Sequence, residues 1–124
     1  MVTKVRVLIA DDHSLFAEAL EVILAADKRV EVAGHARDGR EAVELAERLE
    51  PDVVLMDISM PLMDGIEATK HLRNANADAR VLMLTGSNAR ADVARARQAG
   101  AVGYVTKDRI AAELIDAILE VADR

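Results

Sequence analysis

Cysteine is absent from the 124 residues, which excludes disulfides and thiolate metal sites. Tryptophan is absent too, and Phe16 and Tyr104 are the only aromatic side chains. The core must therefore be aliphatic, and Tyr104 is conspicuous by its rarity. No stretch approaches the ~20 apolar residues of a bilayer-crossing helix. The first apolar run, Val5 to Ala10, is short and meets two aspartates, which is not a signal-peptide pattern. The chain reads as soluble and cytoplasmic, with no membrane partner. Positive charge is outweighed: 16 Lys and Arg face 22 Asp and Glu, and the formal net charge is −6. That argues against this chain holding nucleic acid by itself, because such binding rests on Lys and Arg neutralising phosphates. Low-complexity tracts, linkers and sequence repeats are missing, and the length suits a single domain with one well-formed core.

What is present is an alternation. Short apolar runs at 5–10 (VRVLIA), 30–36 (VEVAGHA), 53–56 (VVLM), 81–84 (VLML) and 102–105 (VGYV) are each followed by a stretch of helical period. In the first helical stretch, from Ser14, the apolar positions are Phe16, Leu20, Ile23 and Leu24. The second opens at Asp38 with Glu41 three residues on, a capping box, and presents Ala42, Leu45, Ala46 and Leu49 inward. Asp64 and Glu67 repeat that box before the inner stripe Ile66, Thr69 and Leu72. Helices over roughly 89–99, stopped by Gly100, and about 109–122 complete the series. Val53 to Met56 is apolar at every position, as in a central parallel strand covered on both faces. Val30 and Val32 alternate with Glu31, as in an edge strand with one wet face. The pattern predicts an α/β fold: a parallel sheet flanked by helices, joined by right-handed crossovers.

In open α/β sheets the ligand crevice lies beyond the carboxyl ends of the strands. There the first strand gives Asp11 and Asp12, the third Asp57, the fourth Thr85 and the fifth Lys107. Singly, each has a plain structural reading: a helix cap, a turn hydroxyl, a solvated lysine. Together they are harder to dismiss, since two like charges ~4 Å apart repel by ~4 kcal/mol at an effective dielectric of about 20. Three acids on one edge call for a cation, a proton or a function that needs the strain. Hard oxygen ligands, with no Cys and no His pair at ligand spacing, favour Mg²⁺ over zinc or copper. An aspartate beside such an ion can accept a phosphoryl group covalently. Lys107, and the Thr85 hydroxyl with backbone N–H groups, would neutralise the remaining phosphoryl oxygens.

These residues stand in the motifs "ADDH" (10–13), "LMDISMPLMDG" (55–65), "LTGS" (84–87) and "GYVTKD" (103–108). With them the chain resembles, over essentially its whole length, the receiver domain of two-component response regulators. The resemblance implies a flavodoxin-like (βα)₅ doubly wound sheet with strand order 2-1-3-4-5. It implies Asp57 as phospho-acceptor and Asp12 as direct metal ligand. Asp11 would act through water, and Ser59 would offer its backbone carbonyl. Thr85 and Lys107 would contact the phosphoryl group, and Tyr104 would turn inward as Thr85 is drawn to it. Ser59 and Ser87 would tune the phosphate lifetime. Partners implied are a sensor histidine kinase and a second copy of the chain through helix surfaces. "DDH" with the "GYVTKD" ending is similar to the NarL/LuxR-type branch. Its members carry a LuxR-type helix-turn-helix, so DNA binding and transcription control would belong to an output domain outside residues 1–124. Many receivers follow the lysine with proline behind a cis peptide. Asp108 stands there instead, and a cis bond before a non-proline residue costs ~2.5–4 kcal/mol, so a trans Lys107–Asp108 bond is expected.

The lesser features read more plainly. His13 follows the acidic pair and could lie near the site, but a surface or helix-entry role suits it better; His35 and His71 read as structural or solvated. Arg90, Arg95 and Arg97, with Asp92, make a charged surface helix open to a partner. Leu119 falls off the inward stripe of Ile110, Leu114 and Ile118 and is expected to be covered by another subunit or a further domain. Rival functions are weaker. A Mg²⁺-dependent aspartyl phosphatase would want an acid where Ser59 stands, and a flavodoxin-like cofactor binder would not put Asp11 and Asp12 in its phosphate loop. A stand-alone receiver, or a degenerate one that only docks to proteins, is the remaining alternative.

Overall fold

Apolar runs of four to six residues can satisfy their backbone only by pairing, and helices between them force that pairing to be parallel. The computed structural model describes residues 3–75, 78–86 and 90–123. Five strands, β1 (Val5–Ala10), β2 (Val30–Ala36), β3 (Val53–Asp57), β4 (Arg80–Thr85) and β5 (Gly103–Thr106), form one sheet in the order β2-β1-β3-β4-β5. All four pairings are parallel. Between and after them run α1 (Ser14–Ala25), α2 (Gly39–Leu49), α3 (Gly65–Asn74), α4 (Arg90–Ala99) and α5 (Ile110–Ala122). The expected flavodoxin-like order is the observed one, with the half-wet strand β2 at an edge.

Side chains of successive strand residues point to opposite faces, and the sheet splits the core accordingly. Leu8, Val54, Met56, Val81 and Met83 pack with residues of α2, α3 and α4. Val7, Val53, Leu55, Leu82, Leu84 and Val105 pack with residues of α1 and α5. β3 is buried at all five positions, including Asp57. Leu45 and Leu49 of α2 are only partly buried, on the shoulders of the stripe made by Ala42 and Ala46. Leu119, off the inward stripe as expected, is half-buried against the chain's own α1–α5 cluster. One residue on from Ile118 it is rotated by ~100°, which keeps it on the edge of the covered arc.

The helix ends follow their sequence signals. Asp38 Oδ1 accepts from Glu41 N–H at 2.9 Å and Asp64 Oδ1 from Glu67 N–H at 2.8 Å. Glu41 reaches back one residue further than a standard box, accepting from Arg37 N–H at 2.9 Å. Gly100, at φ 119°, ends α4: its N–H bonds to the carbonyl of Arg97 and that of Ala101 to Ala96, a Schellman pair that needs a left-handed residue. At the other side of β5 the chain does not pass straight into a helix. A 3₁₀ turn, Lys107–Arg109, precedes α5, so that helix starts at Ile110. The Lys107–Asp108 peptide is trans, as expected, and no cis bond occurs among the described residues.

Candidate functional site

Strand register brings the polar residues together. Asp57 closes β3 opposite Leu84, one residue before Thr85 closes β4. Asp11 lies one residue beyond β1, its N–H still bonded to the carbonyl of Ala36 at 3.0 Å. Lys107 lies one residue beyond β5. Asp11, Asp57 and Thr85 are buried and Asp12 is exposed. Ser87 lies outside the described residues.

The lysine bridges the acids. Lys107 Nζ donates to Asp57 Oδ2 at 3.1 Å and stands 3.6 Å from Asp11 Oδ2. It also sits 4.5 Å above the centre of the Phe16 ring, a cation–π contact that fixes the ammonium from the α1 side. Asp57 Oδ1 accepts from the Ser59 N–H at 3.3 Å. Two close approaches pin the loop after Asp57. A Cβ on Gly65 would collide with the carbonyl oxygen of Asp57, and one on Gly39 with that of Met63. Gly65 N–H bonds to the Ile58 carbonyl at 2.8 Å. The Asp-Gly of "MDG" thus starts α3 tight against the strand end that carries the carboxylate. Leu62, at φ 67°, occupies the left-handed region in the same loop, where Met63 N–H bonds to the Pro61 carbonyl at 2.7 Å.

Charge at this edge is unbalanced. Burial, and next the neighbouring Asp11, push the Asp57 carboxyl above its ordinary pKa. Lys107 and the Ser59 N–H pull the other way without cancelling the rise. Asp11 Oδ2 is fully buried and has no hydrogen-bond partner among the described residues, only the Lys107 ammonium 3.6 Å away. A buried carboxylate oxygen without a hydrogen bond is costly, and one ammonium cannot neutralise three carboxylates. Asp11, Asp12, His13 and Asp57 each offer a ligand atom, all within 4.8 Å of one another. The donor set, mostly hard oxygen, fits a small divalent cation.

His13 takes both places the sequence offered it, at the helix entry and beside the acids. It is the N-cap of α1, as its position suggested, and its Nδ1 stands 3.3 Å from oxygens of Asp11 and of Asp12 and 3.8 Å from Asp57 Oδ2. The spacing signal was weak, because adjacency to "DD" does not say which way a helix-start side chain turns. His35 Nε2 lies 3.1 Å from the Asp11 carbonyl oxygen, and His71 Nε2 lies 3.8 Å from Glu67 Oε1. Tyr104 is about half exposed on β5 and lines a groove of about 960 Å³ with Gly86, Thr106, Asp108 and Arg109. On α4, Arg90, Arg95 and Arg97 are exposed, and Arg95 pairs loosely with Asp92 at 3.8 Å.

With an acidic edge, a lysine and this strand order in place, the comparison with known proteins is decisive. The profile of the response regulator receiver domain matches residues 7–119. The chain belongs to the response regulator receiver domain family. The transcriptional regulatory protein DegU of Brevibacillus brevis is 42% identical over 119 residues, covering 96% of this chain and 50% of the relative. The chain thus spans about half the length of the curated relatives it matches. The receiver of the NarL response regulator of Mycobacterium tuberculosis superposes with a TM-score of 0.93 at 39% identity, covering 97% of each chain. CheY of Borrelia burgdorferi, solved in a CheX–CheY–BeF₃–Mg²⁺ complex, gives a TM-score of 0.86 at 28% identity over 94% of this chain and 87% of that one. The receiver is homologous to NarL-, DegU- and LuxR-type transcriptional regulators. No helix among the described residues is long and apolar enough to cross a membrane.

Proposed function

We propose that this receiver is a phosphorylation-driven switch in which Asp57 accepts a phosphoryl group from a phosphohistidine of a sensor kinase. One observation carries the reading: a buried carboxylate at the end of the central strand, 3.1 Å from Lys107 Nζ, which also stands 3.6 Å from the buried carboxylate of Asp11. An Asp57 oxygen attacks phosphorus, the P–N bond breaks, and its electron pair leaves on the imidazole nitrogen. Lys107 neutralises one phosphoryl oxygen, and the Thr85 hydroxyl and the Ser59 N–H donate to others. Asp12 directly, Asp11 through water, Asp57 and the Ser59 carbonyl would hold Mg²⁺. The ion would supply charge neutralisation between acids and phosphate. Hydrolysis of the acyl phosphate by water resets Asp57, so the chain turns over only its own phosphoryl group. A homologous receiver, CheY of Borrelia burgdorferi, was solved in a complex with BeF₃ and Mg²⁺, which supports a divalent ion beside a phosphoryl group in receivers of this kind.

The switch is a shift in population between two states of similar energy. Thr85 moves toward the phosphate, and Tyr104, half exposed beside an open groove, turns into the space behind it. The reader of that change is an output domain outside residues 1–124, a LuxR-type helix-turn-helix that binds DNA in the cytoplasm. Support for this comes from the relatives, transcriptional regulators about twice as long as the chain.

The test is incubation with Mg²⁺ and a small acyl phosphate, read by intact mass. Wild type should gain one phosphoryl group, and Asp57→Asn should gain none. A folded wild-type protein that gains nothing would overturn self-catalysed phosphorylation and leave a docking module.

A further inference from the structure

The three arginines of α4 do not form one patch. Arg97 lines a cleft against α3 with Arg73 and Gly100. Arg95, two residues earlier, is turned by ~200° about the helix axis and lines a different cavity, of about 600 Å³, with Asp12, Ser59, Asp64 and Asp92. That cavity is an approach to the phospho-acceptor. The Ser59 N–H on its wall donates to Asp57 Oδ1, and Asp12 is the exposed acid just beyond β1.

The charge on that wall is one-sided. Asp12, Asp64 and Asp92 contribute three carboxylates, and a phosphoryl donor is itself an anion, so like charges meet at the point of entry. An ion held by Asp11, Asp12 and Asp57 would still leave Asp64 and Asp92 on the donor's path. Among the described residues lining the cavity, Arg95 is the one side chain with a permanent positive charge. Lys107, which meets the phosphoryl group at its destination, is largely buried and already engaged with Asp57 and Asp11.

Arg95 is placed to receive an anion. It follows Asp92 by three residues on α4, with Nη1 3.8 Å from Asp92 Oδ1, and its side chain is 57% exposed. That separation exceeds a hydrogen bond, so the carboxylate attracts the guanidinium without engaging its N–H groups. A guanidinium presents a planar fork that suits two phosphoryl oxygens at once. We propose that Arg95 is a specificity-determining residue for the phosphoryl donor: it captures dianionic donors at the mouth of the cavity and favours them over donors of lower charge. The inference rests on Asp57 as phospho-acceptor and adds a residue that acts before any bond is made. The transfer is unchanged: an Asp57 oxygen bonds to phosphorus, and the donor's bond to phosphorus breaks with its electron pair going to the leaving group. A charge in this place raises the rate of productive encounter, most of all at low ionic strength.

The experiment uses the full chain as wild type, Arg95→Gln, Arg95→Lys, Asp92→Asn and Arg97→Gln, at saturating Mg²⁺. Two donors serve as probes: acetyl phosphate, a dianion at neutral pH, and phosphoramidate, a monoanion there. Rates of phosphoryl gain are read by intact mass from ~0.1 M to ~1 M KCl, over which the screening length falls from ~10 Å to ~3 Å. Arg95→Gln should lower the rate constant with acetyl phosphate by about three- to tenfold at low salt, the lower end of electrostatic steering. The loss should be smaller with phosphoramidate and should fade at high salt. Arg95→Lys should recover most of the rate, and Arg97→Gln should match wild type. Asp92→Asn should run about twofold faster than wild type. Opposite signs for Arg95→Gln and Asp92→Asn exclude a merely structural role for the pair, which would slow both. Three results would each overturn the role of Arg95 while Asp57 still takes up phosphate: no slowing in Arg95→Gln, equal slowing with both donors at every salt concentration, or the same slowing in Arg97→Gln. Failure of wild type to gain a phosphoryl group from either donor overturns the phospho-acceptor reading, and Arg95 with it.

Discussion

Asp57 is the residue at which the fold works against itself. Its carboxyl is held above the ordinary carboxylate pKa by burial and by Asp11, against the pull of Lys107 and the Ser59 N–H, with His13 as the remaining facing group. Between the ordinary value and the raised one the folded chain binds more protons than the unfolded chain, so stability falls as pH rises through that window. Asp57→Asn, neutral throughout, should therefore be more stable than wild type in chelator at about pH 7, by a few degrees in Tm. The gap should close as pH falls into the ordinary carboxylate range. Urea titrations across that span read this directly, and a gap that widens toward acid would contradict it. Phe16 gives a second prediction. Replacing it with Leu keeps an apolar side chain on α1 but removes the ring under Lys107 Nζ. A cation–π contact of ~0.5–1 kcal/mol corresponds to a slowing of phosphoryl uptake by about two- to fivefold, measured with an acyl phosphate donor. A rate equal to wild type would show that Asp57 and Asp11 position the lysine unaided.

At the scale of elements, the decisive contact is where α3 begins. Gly65 lies against the carbonyl of Asp57 so closely that a Cβ must displace backbone, which no rotamer change can relieve. Gly65→Ala should lower stability by about 1–3 kcal/mol, seen as a lower urea midpoint with an unchanged slope. It should also slow phosphorylation, because the atom displaced belongs to the phospho-acceptor's own peptide. A variant that loses stability but phosphorylates normally would separate loop packing from acceptor placement. These elements were largely legible in the sequence for a physical reason. A sheet covered on both faces demands strands without polar residues, and Val53–Met56 of β3 and the inner part of β4 comply. The last helix was expected from about residue 109, and Arg109 instead closes the 3₁₀ turn Lys107–Arg109, where two helical hydrogen-bond patterns compete for the same residue. Strand order came from family resemblance, since periodicity shows that strands are buried but not which strands are neighbours. In the site, Asp11, Asp57, Thr85 and Lys107 were legible because strand ends share one edge. The direction of the His13 ring and the place of Phe16 beneath Lys107 were not, since each depends on a side-chain direction or a helix placement that spacing does not encode.

For the whole molecule the acidic edge and the two-faced core are parts of one equilibrium. β3 ends in Asp57 and supplies Val53 and Leu55 to one core cluster and Val54 and Met56 to the other. Whatever relieves charge at its tip is therefore felt on both sides of the sheet. Without an ion, the buried Asp11 carboxylate and the crowded Asp57 carboxylate oppose folding. A divalent ion that binds only the folded arrangement stabilises it by ~2.7 kcal/mol at about 100 times its Kd, which for a chain of this size is on the order of 10 °C in Tm. Mg²⁺ should accordingly raise the Tm of wild type in a concentration-dependent way, and chelator should restore the lower value. Asp11→Asn should start from a higher Tm in chelator, since one of the crowded charges is gone, and respond much less to Mg²⁺. The two curves should cross as Mg²⁺ increases. Parallel curves would mean that the ion acts elsewhere on a surface of net charge −6, by general screening; a matched ionic strength of KCl would then reproduce the effect. Crossing curves with no such effect of KCl would tie the stability of the entire sheet to an ion at the tip of its central strand.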